Sequence, residues 1–285
     1  MKKITFYLAL PLLYLIALLP FPILYLVSDF FKIIIFDLVG YRKKVILTNL
    51  KNSFPNKSDQ EIKAIASKFY RNFTDMLLEC VKMLTISEKQ LNEVFVVSNK
   101  EIVKNYHDAG RSVIGVVGHM INWELACLAH SNAFTYPSLI VYKPLQNENF
   151  DKLVLNMRTR FGAVLVPMKQ TFRKLTEYRN KPFNLILAGD QYPGKGESVY
   201  KTTFLNQETY VFLGTEKIAK MTNSAIVFCD LRKVKRGKYA ITYVPLFENP
   251  KDTADGEITE THIRYLDKVI HEQPDIWLWS HRRWK

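Results

Sequence analysis

The stretch Gly115-Val116-Val117-Gly118-His119-Met120-Ile121-Asn122-Trp123-Glu124 sets an imidazole five residues ahead of a carboxylate, where an apolar run ends at a Gly-His pair. On one continuous helix, positions five apart point about 140° away from each other. For the two groups to meet, His119 must precede the helix and Glu124 must sit in its first turn. Glu124 then accepts a hydrogen bond from one ring nitrogen and leaves the other as a general base of raised basicity. Spacing alone equally allows a loop histidine followed by an acid that the helix dipole favours.

A second candidate follows the apolar run Phe183 to Ala188, as the glycine-rich turn Gly189-Asp190-Gln191-Tyr192-Pro193-Gly194-Lys195-Gly196. Turns at the carboxyl ends of strands are where α/β sheets bind ligands. Gly189 and Gly194-Lys195 match phosphate-loop spacing, but Gly196 stands where the Mg²⁺-holding Ser or Thr belongs, so a substrate-shaping loop suits the segment better. Asp190 also reads as a simple turn aspartate. Cys80, Cys127 and Cys229 are odd in number and scattered, without disulfide or metal-ligand spacing, and no metal site is expected. Cys127 and His130 read as packing residues rather than as a thiol and its base.

The elements that must position these groups alternate along the chain. Helices are expected near 41–54, 58–84, 100–109, 122–131, 149–161, 170–180, 213–221 and 257–271. Strands are expected at 112–117, 138–142, 163–166, 183–188, 225–231 and 238–244, the last two joined as a hairpin around Arg236-Gly237. This pattern predicts an α/β fold, a mixed central sheet flanked by helices. Ile4 to Ser28 carries no charge and follows Lys2 and Lys3, so residues 1–40 read as a hydrophobic membrane anchor and residues 41–285 as a single α/β domain. Pro11, Pro20 and Pro22 interrupt that run, which leaves open whether it spans or lies in the interface. By this reading the run pairs with lipid rather than with the sheet.

With 48% apolar and 24% charged residues, whole-chain disorder is excluded. A net charge of +13 calls for an anionic partner. No helix-turn-helix, zinc or RNA-binding signature accompanies it, so nucleic acid is not expected.

In order along the chain, these features resemble the late acyltransferases of lipid A biosynthesis, part of the glycerolipid acyltransferase-like group. The resemblance rests on Tyr41-Arg42 to Asn49-Leu50, Ser53-Phe54-Pro55, the His119 to Glu124 block, Val141-Tyr142-Lys143-Pro144 and Arg158-x-Arg160-Phe161-Gly162. It continues through Gly189-Asp190-Gln191, Phe204-Leu205-Asn206, and the tail from Pro274 to Leu278-Trp279-x-His281-Arg282-Arg283-Trp284-Lys285. It implies an acyl carrier protein as donor, a lipid acceptor, no cofactor, and catalysis on the cytoplasmic face of the bacterial inner membrane. It further implies His119 as general base with Glu124 as its partner, and substrate contacts from Lys143, Arg158, Arg160, Asp190 and Gln191. Arg158 and Arg160 read equally as solvated helix charges. Lys143 and Leu205-Asn206 depart from the Arg and the Phe-Gly pair of enterobacterial members, which leaves acyl length and acceptor open. Acylation of a lysophospholipid or an amino-acid-based lipid is the alternative reaction. A catalytically silent lipid-binding membrane protein is the alternative of another class.

Overall fold

The computed structural model describes residues 2–194 and 196–284, with no side-chain description for residues 2–4. Helices α1 (Lys2–Leu18), α2 (Phe21–Lys32), α3 (Lys43–Ser53) and α4 (Asp59–Lys82) come first, followed by α5 (Glu88–Val94) and α6 (Glu101–Asp108). Next are α7 (Trp123–Ala133), α8 (Glu148–Thr159), α9 (Thr171–Thr176), α10 (Gly214–Thr222) and α11 (Glu257–Glu272). Strands β1 (Phe95–Val97), β2 (Val113–Val117), β3 (Ser138–Tyr142), β4 (Ala163–Pro167), β5 (Asn184–Ala188), β8 (Ala225–Lys235) and β9 (Lys238–Phe247) form one sheet. Its order is β1-β9-β8-β2-β5-β3-β4, and only the β8–β9 pair is antiparallel. A separate hairpin joins β6 (Val199–Phe204) to β7 (Gln207–Phe212).

The central strand β2 is buried along its whole length, as expected of a strand covered on both faces and therefore written as a continuous apolar run. The mixed sheet and flanking helices agree with the sequence pattern. The β6–β7 hairpin, β1 and α5 were not foreseen. The hairpin turns on Leu205 and Asn206, at φ 49 and 61. Leucine is an unusual occupant of such a turn, which normally announces itself through Asn-Gly or Asp-Gly.

The expected N-terminal membrane anchor is overturned: among the described residues no helix is long and apolar enough to cross a membrane. The uncharged run is cut at Pro20, whose extended backbone (ψ 148) ends α1 after 17 residues and starts α2 on a new course. An α-helix of that length covers about 26 Å, short of the roughly 30 Å hydrocarbon core.

Both helices pack on α4 instead, through polar contacts. The Lys82 ammonium, 3% exposed, donates to the carbonyls of Ala17 and Leu19 at 2.8 Å each, which caps the end of α1 with a cation. From α2, the Tyr25 hydroxyl donates to Glu79 at 2.7 Å and Ser28 to Asp75 at 2.6 Å. Arg236, in the β8–β9 turn, bonds both Asp29 of α2 and Asp75 of α4. Gly237 beside it, at φ 74, has room for no side chain against the Tyr25 ring.

Removing residues 1–28 would leave Glu79, Asp75 and Lys82 buried without these partners, at about 1–3 kcal/mol each. The truncated protein should melt roughly 10 °C or more below the full chain. A thermal melt within 2 °C or so of the full chain would show that α1 and α2 are dispensable to the fold.

Candidate functional site

The site lies at the carboxyl edge of two adjacent parallel strands. Strand β2 pairs with β5 in a register that matches Val117 with Ala188, and two further residues along each chain stand His119 and Asp190. The strand pairing therefore delivers the two side chains to each other. Gly118 leaves room for α11: a side chain there would press on Leu266, since a Cβ would lie 2.6 Å from its Cδ1.

His119 Nδ1 lies 2.5 Å from Asp190 Oδ1, and the His119 backbone N–H donates to Oδ2 at 2.8 Å. The indole N–H of Trp277, from the C-terminal tail, donates to the same Oδ2 at 2.7 Å. An ionised carboxylate only accepts, so Nδ1 carries the proton and Nε2 is the unprotonated nitrogen, with no hydrogen-bond partner among the described residues. The tail also fixes the backbone of this turn: Leu278 donates to the His119 carbonyl at 3.0 Å, and Ile121 donates to the Ile276 carbonyl at 2.6 Å. Ile121 sits at φ 41, a strained conformation for a β-branched residue, held by these bonds.

Burial works against ionising either group, and the pairing overcomes it in both. Asp190 is fully buried, yet the His119 charge and hydrogen bonds and the Trp277 indole hold its pKa down to about 2. Burial likewise opposes the His119 charge, but Asp190, with a smaller contribution from Glu124, raises its pKa above the ordinary 6.5. The pairing therefore favours a proton on Nε2, the property a general base at this position would need.

Glu124 does occupy the first turn of α7, but the expected hydrogen bond to His119 is absent among the described residues. The carboxylate is taken by Arg158 of α8, at 2.7 Å to Nε and 2.5 Å to Nη2. A rigid helix beginning at Trp123 aims its first turn toward α8, whereas Asp190 reaches the imidazole from the neighbouring strand. Glu124 thus acts on His119 through space, as a nearby negative charge. Arg160 donates to the Met83 carbonyl and lies over the Phe161 ring. Lys143 is exposed just beyond the end of β3, at the same sheet edge, and Gln191 is half-buried beside Asp190. The glycine-rich loop leads into β6 and starts no helix; Lys195, the residue of the phosphate-loop comparison, lies outside the described residues, as does Lys285 of the tail. Trp277 escaped the sequence reading as a site residue, because nothing local connects a tail indole to a turn 87 positions earlier.

The sign of the pH dependence follows from these shifts. Asp190, with a depressed pKa, contributes stability above its ordinary 3.8 that is lost as pH falls through about 2. His119, with a raised pKa, contributes stability below 6.5 that is lost as pH rises through its folded value. The melting-temperature gap between the wild type and Asp190→Asn should therefore be widest between roughly pH 4 and 6.5. An imidazole titration followed by NMR should place His119 above 6.5 in the wild type and lower in Asp190→Asn; an unchanged value would remove Asp190 as the cause.

The sequence profile of a family described as bacterial lipid A biosynthesis acyltransferase matches residues 1–285. The lipid A biosynthesis lauroyltransferase of Escherichia coli (strain K12) is 23% identical over 284 residues, covering 98% of this chain and 90% of that protein. The lipid A biosynthesis palmitoleoyltransferase of the same organism is 21% identical over 268 residues, covering 94% and 86%. A lipid A biosynthesis acyltransferase of Shigella flexneri matches at 21% over the same length. With the match running from the first residue to the last, the chain belongs to the bacterial lipid A biosynthesis acyltransferase family and is an acyltransferase.

Proposed function

We propose that this enzyme moves a fatty acyl chain from an acyl-carrier-protein thioester to a hydroxyl of a lipid A precursor, on the cytoplasmic face of the bacterial inner membrane. The observation that carries the reading is His119, held through Nδ1 by a buried carboxylate with Nε2 left for the acceptor. In this mechanism Nε2 takes the hydroxyl proton as the oxygen attacks the thioester carbonyl. The tetrahedral intermediate collapses, the carbon–sulfur bond breaks, and the leaving thiolate recovers the proton from the imidazolium. Asp190 fixes the tautomer and stabilises the cation, in the manner of the buried acid of hydrolase triads. Glu124 adds a second negative charge, and its pairing with Arg158 keeps that charge in place. Of the remaining basic and polar candidates, Lys143 and Gln191 suit contacts with a substrate headgroup. Arg158 and Arg160 suit shaping the wall of the site.

The lauroyl and palmitoleoyl transfer to lipid A named for the relatives supports a lipid acceptor and an acyl group as cargo. Beside His119, Phe69, Phe73, Met76, Ile121, Trp123 and Leu278 line a small cavity of about 10 Å³ together with Asn72 and Asp275, so an acyl chain needs these side chains to move apart. The net charge of +13 suits an acidic carrier protein and anionic headgroups.

The direct test incubates the purified enzyme with acyl carrier protein loaded with a fatty acid and with an under-acylated lipid A precursor, and reads the product by mass spectrometry. Gain of one acyl mass is expected; no gain, with transfer to a lysophospholipid in its place, would refute the acceptor. His119→Ala should cost roughly two to four orders of magnitude in turnover with folding intact. More than half the wild-type rate would remove His119 from the mechanism. Raising the ionic strength from low to physiological should raise the KM for the loaded carrier protein more than it lowers kcat. A flat KM across that range would dissociate the basic surface from donor capture.

A further inference from the structure

Behind the catalytic turn, Glu79 of α4 is fully buried and has no cation within ion-pair distance among the described residues. One carboxylate oxygen accepts from the Tyr25 hydroxyl of α2 at 2.7 Å and from the Tyr239 hydroxyl of β9 at 2.8 Å. The other accepts from the side-chain amide of Asn122 at 3.0 Å. Asn122, 1% exposed, is the N-cap of α7, and its own side-chain oxygen accepts from the Leu125 N–H at 3.0 Å. Asn122 thus uses both ends of its amide, one to start the helix and one to bind it to α4. Two residues on stands Glu124, and the Trp123 ring meets the His119 ring edge-on at 5.0 Å.

We propose that Glu79 and Asn122 form a positioning pair for acyl transfer: their hydrogen bond sets the height and rotation of the first turn of α7, and with it the placement of Trp123 and Glu124 against His119. The proposal rests on the reading of His119 as the base. Neither residue touches a reacting atom in this account. Strain on the turn gives the bond its purpose, since Ile121 at φ 41 is held from the tail side by Ile276, and the following residue, Asn122, is held from the α4 side by Glu79. The electrostatic setting agrees. Burial pushes the Glu79 carboxyl up to about 7 despite donors from Tyr25, Asn122 and Tyr239, with Asp75 nearby raising it further. An acid in so unfavourable a place costs stability, which its three hydrogen-bond donors offset only in part.

The test separates positioning from packing. Asn122→Ser keeps a good helix cap but is too short to keep the bond to Glu79. Glu79→Gln is isosteric and can turn its amide oxygen to Asn122 and its amide N–H groups to the tyrosine oxygens. Asn122→Ser and Glu79→Ala should lower kcat by roughly 10- to 100-fold, the scale of a misplacement near 1 Å, with KM within about twofold. Glu79→Gln should recover to within threefold or so of the wild type, and Asn122→Ser in the Glu79→Ala background should add little. His119→Ala is assayed alongside. If His119→Ala is inactive while Asn122→Ser keeps its kcat within twofold or loses only KM, the positioning role fails and the base stands. Glu79→Gln as impaired as Glu79→Ala would show that the charge matters rather than the bond, and would also overturn the proposal. If His119→Ala keeps its rate, both readings fall together.

Discussion

One buried carboxylate organises the edge of the sheet where the candidate site lies. Asp190 accepts from the His119 ring, from the His119 backbone and from the Trp277 indole. A buried carboxylate without donors would protonate or drive its surroundings apart. With these donors it stays ionised, binds the tail to the sheet and charges the imidazole with basicity. The arrangement needs two parallel neighbouring strands in one register, since a slip of one residue between β2 and β5 would turn the aspartate to the other face. The register is in turn secured by β2, buried along its whole length, and by the buried first three residues of β5.

A second polar layer lies beneath the first and ties the N-terminal helices to the turn that carries His119. Arg236 joins Asp29 and Asp75, while Glu79 gathers Tyr25, Tyr239 and Asn122. Long apolar stretches on α1 and α2 would pack against α4 in many rotations, since dispersion alone discriminates weakly among them. Buried, directional hydrogen bonds select one, because every alternative leaves a charge or hydroxyl unsatisfied. The helices that read as lipid-seeking in the sequence are therefore parts of the folded body. They nonetheless expose large apolar side chains, Leu8, Leu12, Leu15 and Leu26 among them.

The secondary structure was legible wherever local pattern and tertiary demand coincide. The Ser58 cap with Glu61 three residues on is a complete capping box in α4, and apolar runs bounded by turns became the strands of the central sheet. Legibility failed where local signals were weak or misleading. The β6–β7 turn uses Leu205 in a left-handed conformation, and β1 spans only three residues, too few for a period to register. At the N-terminus the prolines marked an interruption of the apolar run, but the buried partners on α4 that hold both helices have no local signal.

For the site itself, the local sequence already offers its candidates: a histidine after an apolar strand, an acid in the next helix, an aspartate in a glycine-rich turn and an aromatic tail. The tertiary structure alone decided who pairs with whom. Glu124, five residues from His119, is bound by Arg158 on another helix, and the imidazole takes its carboxylate from 71 residues away. Proximity in sequence controls only what a rigid helix or turn allows, whereas strand register aligns residues of any separation. Hydrogen bonds as directional as those of Asp190 and Glu79 form only where such alignment brings donor and acceptor within 3 Å or so.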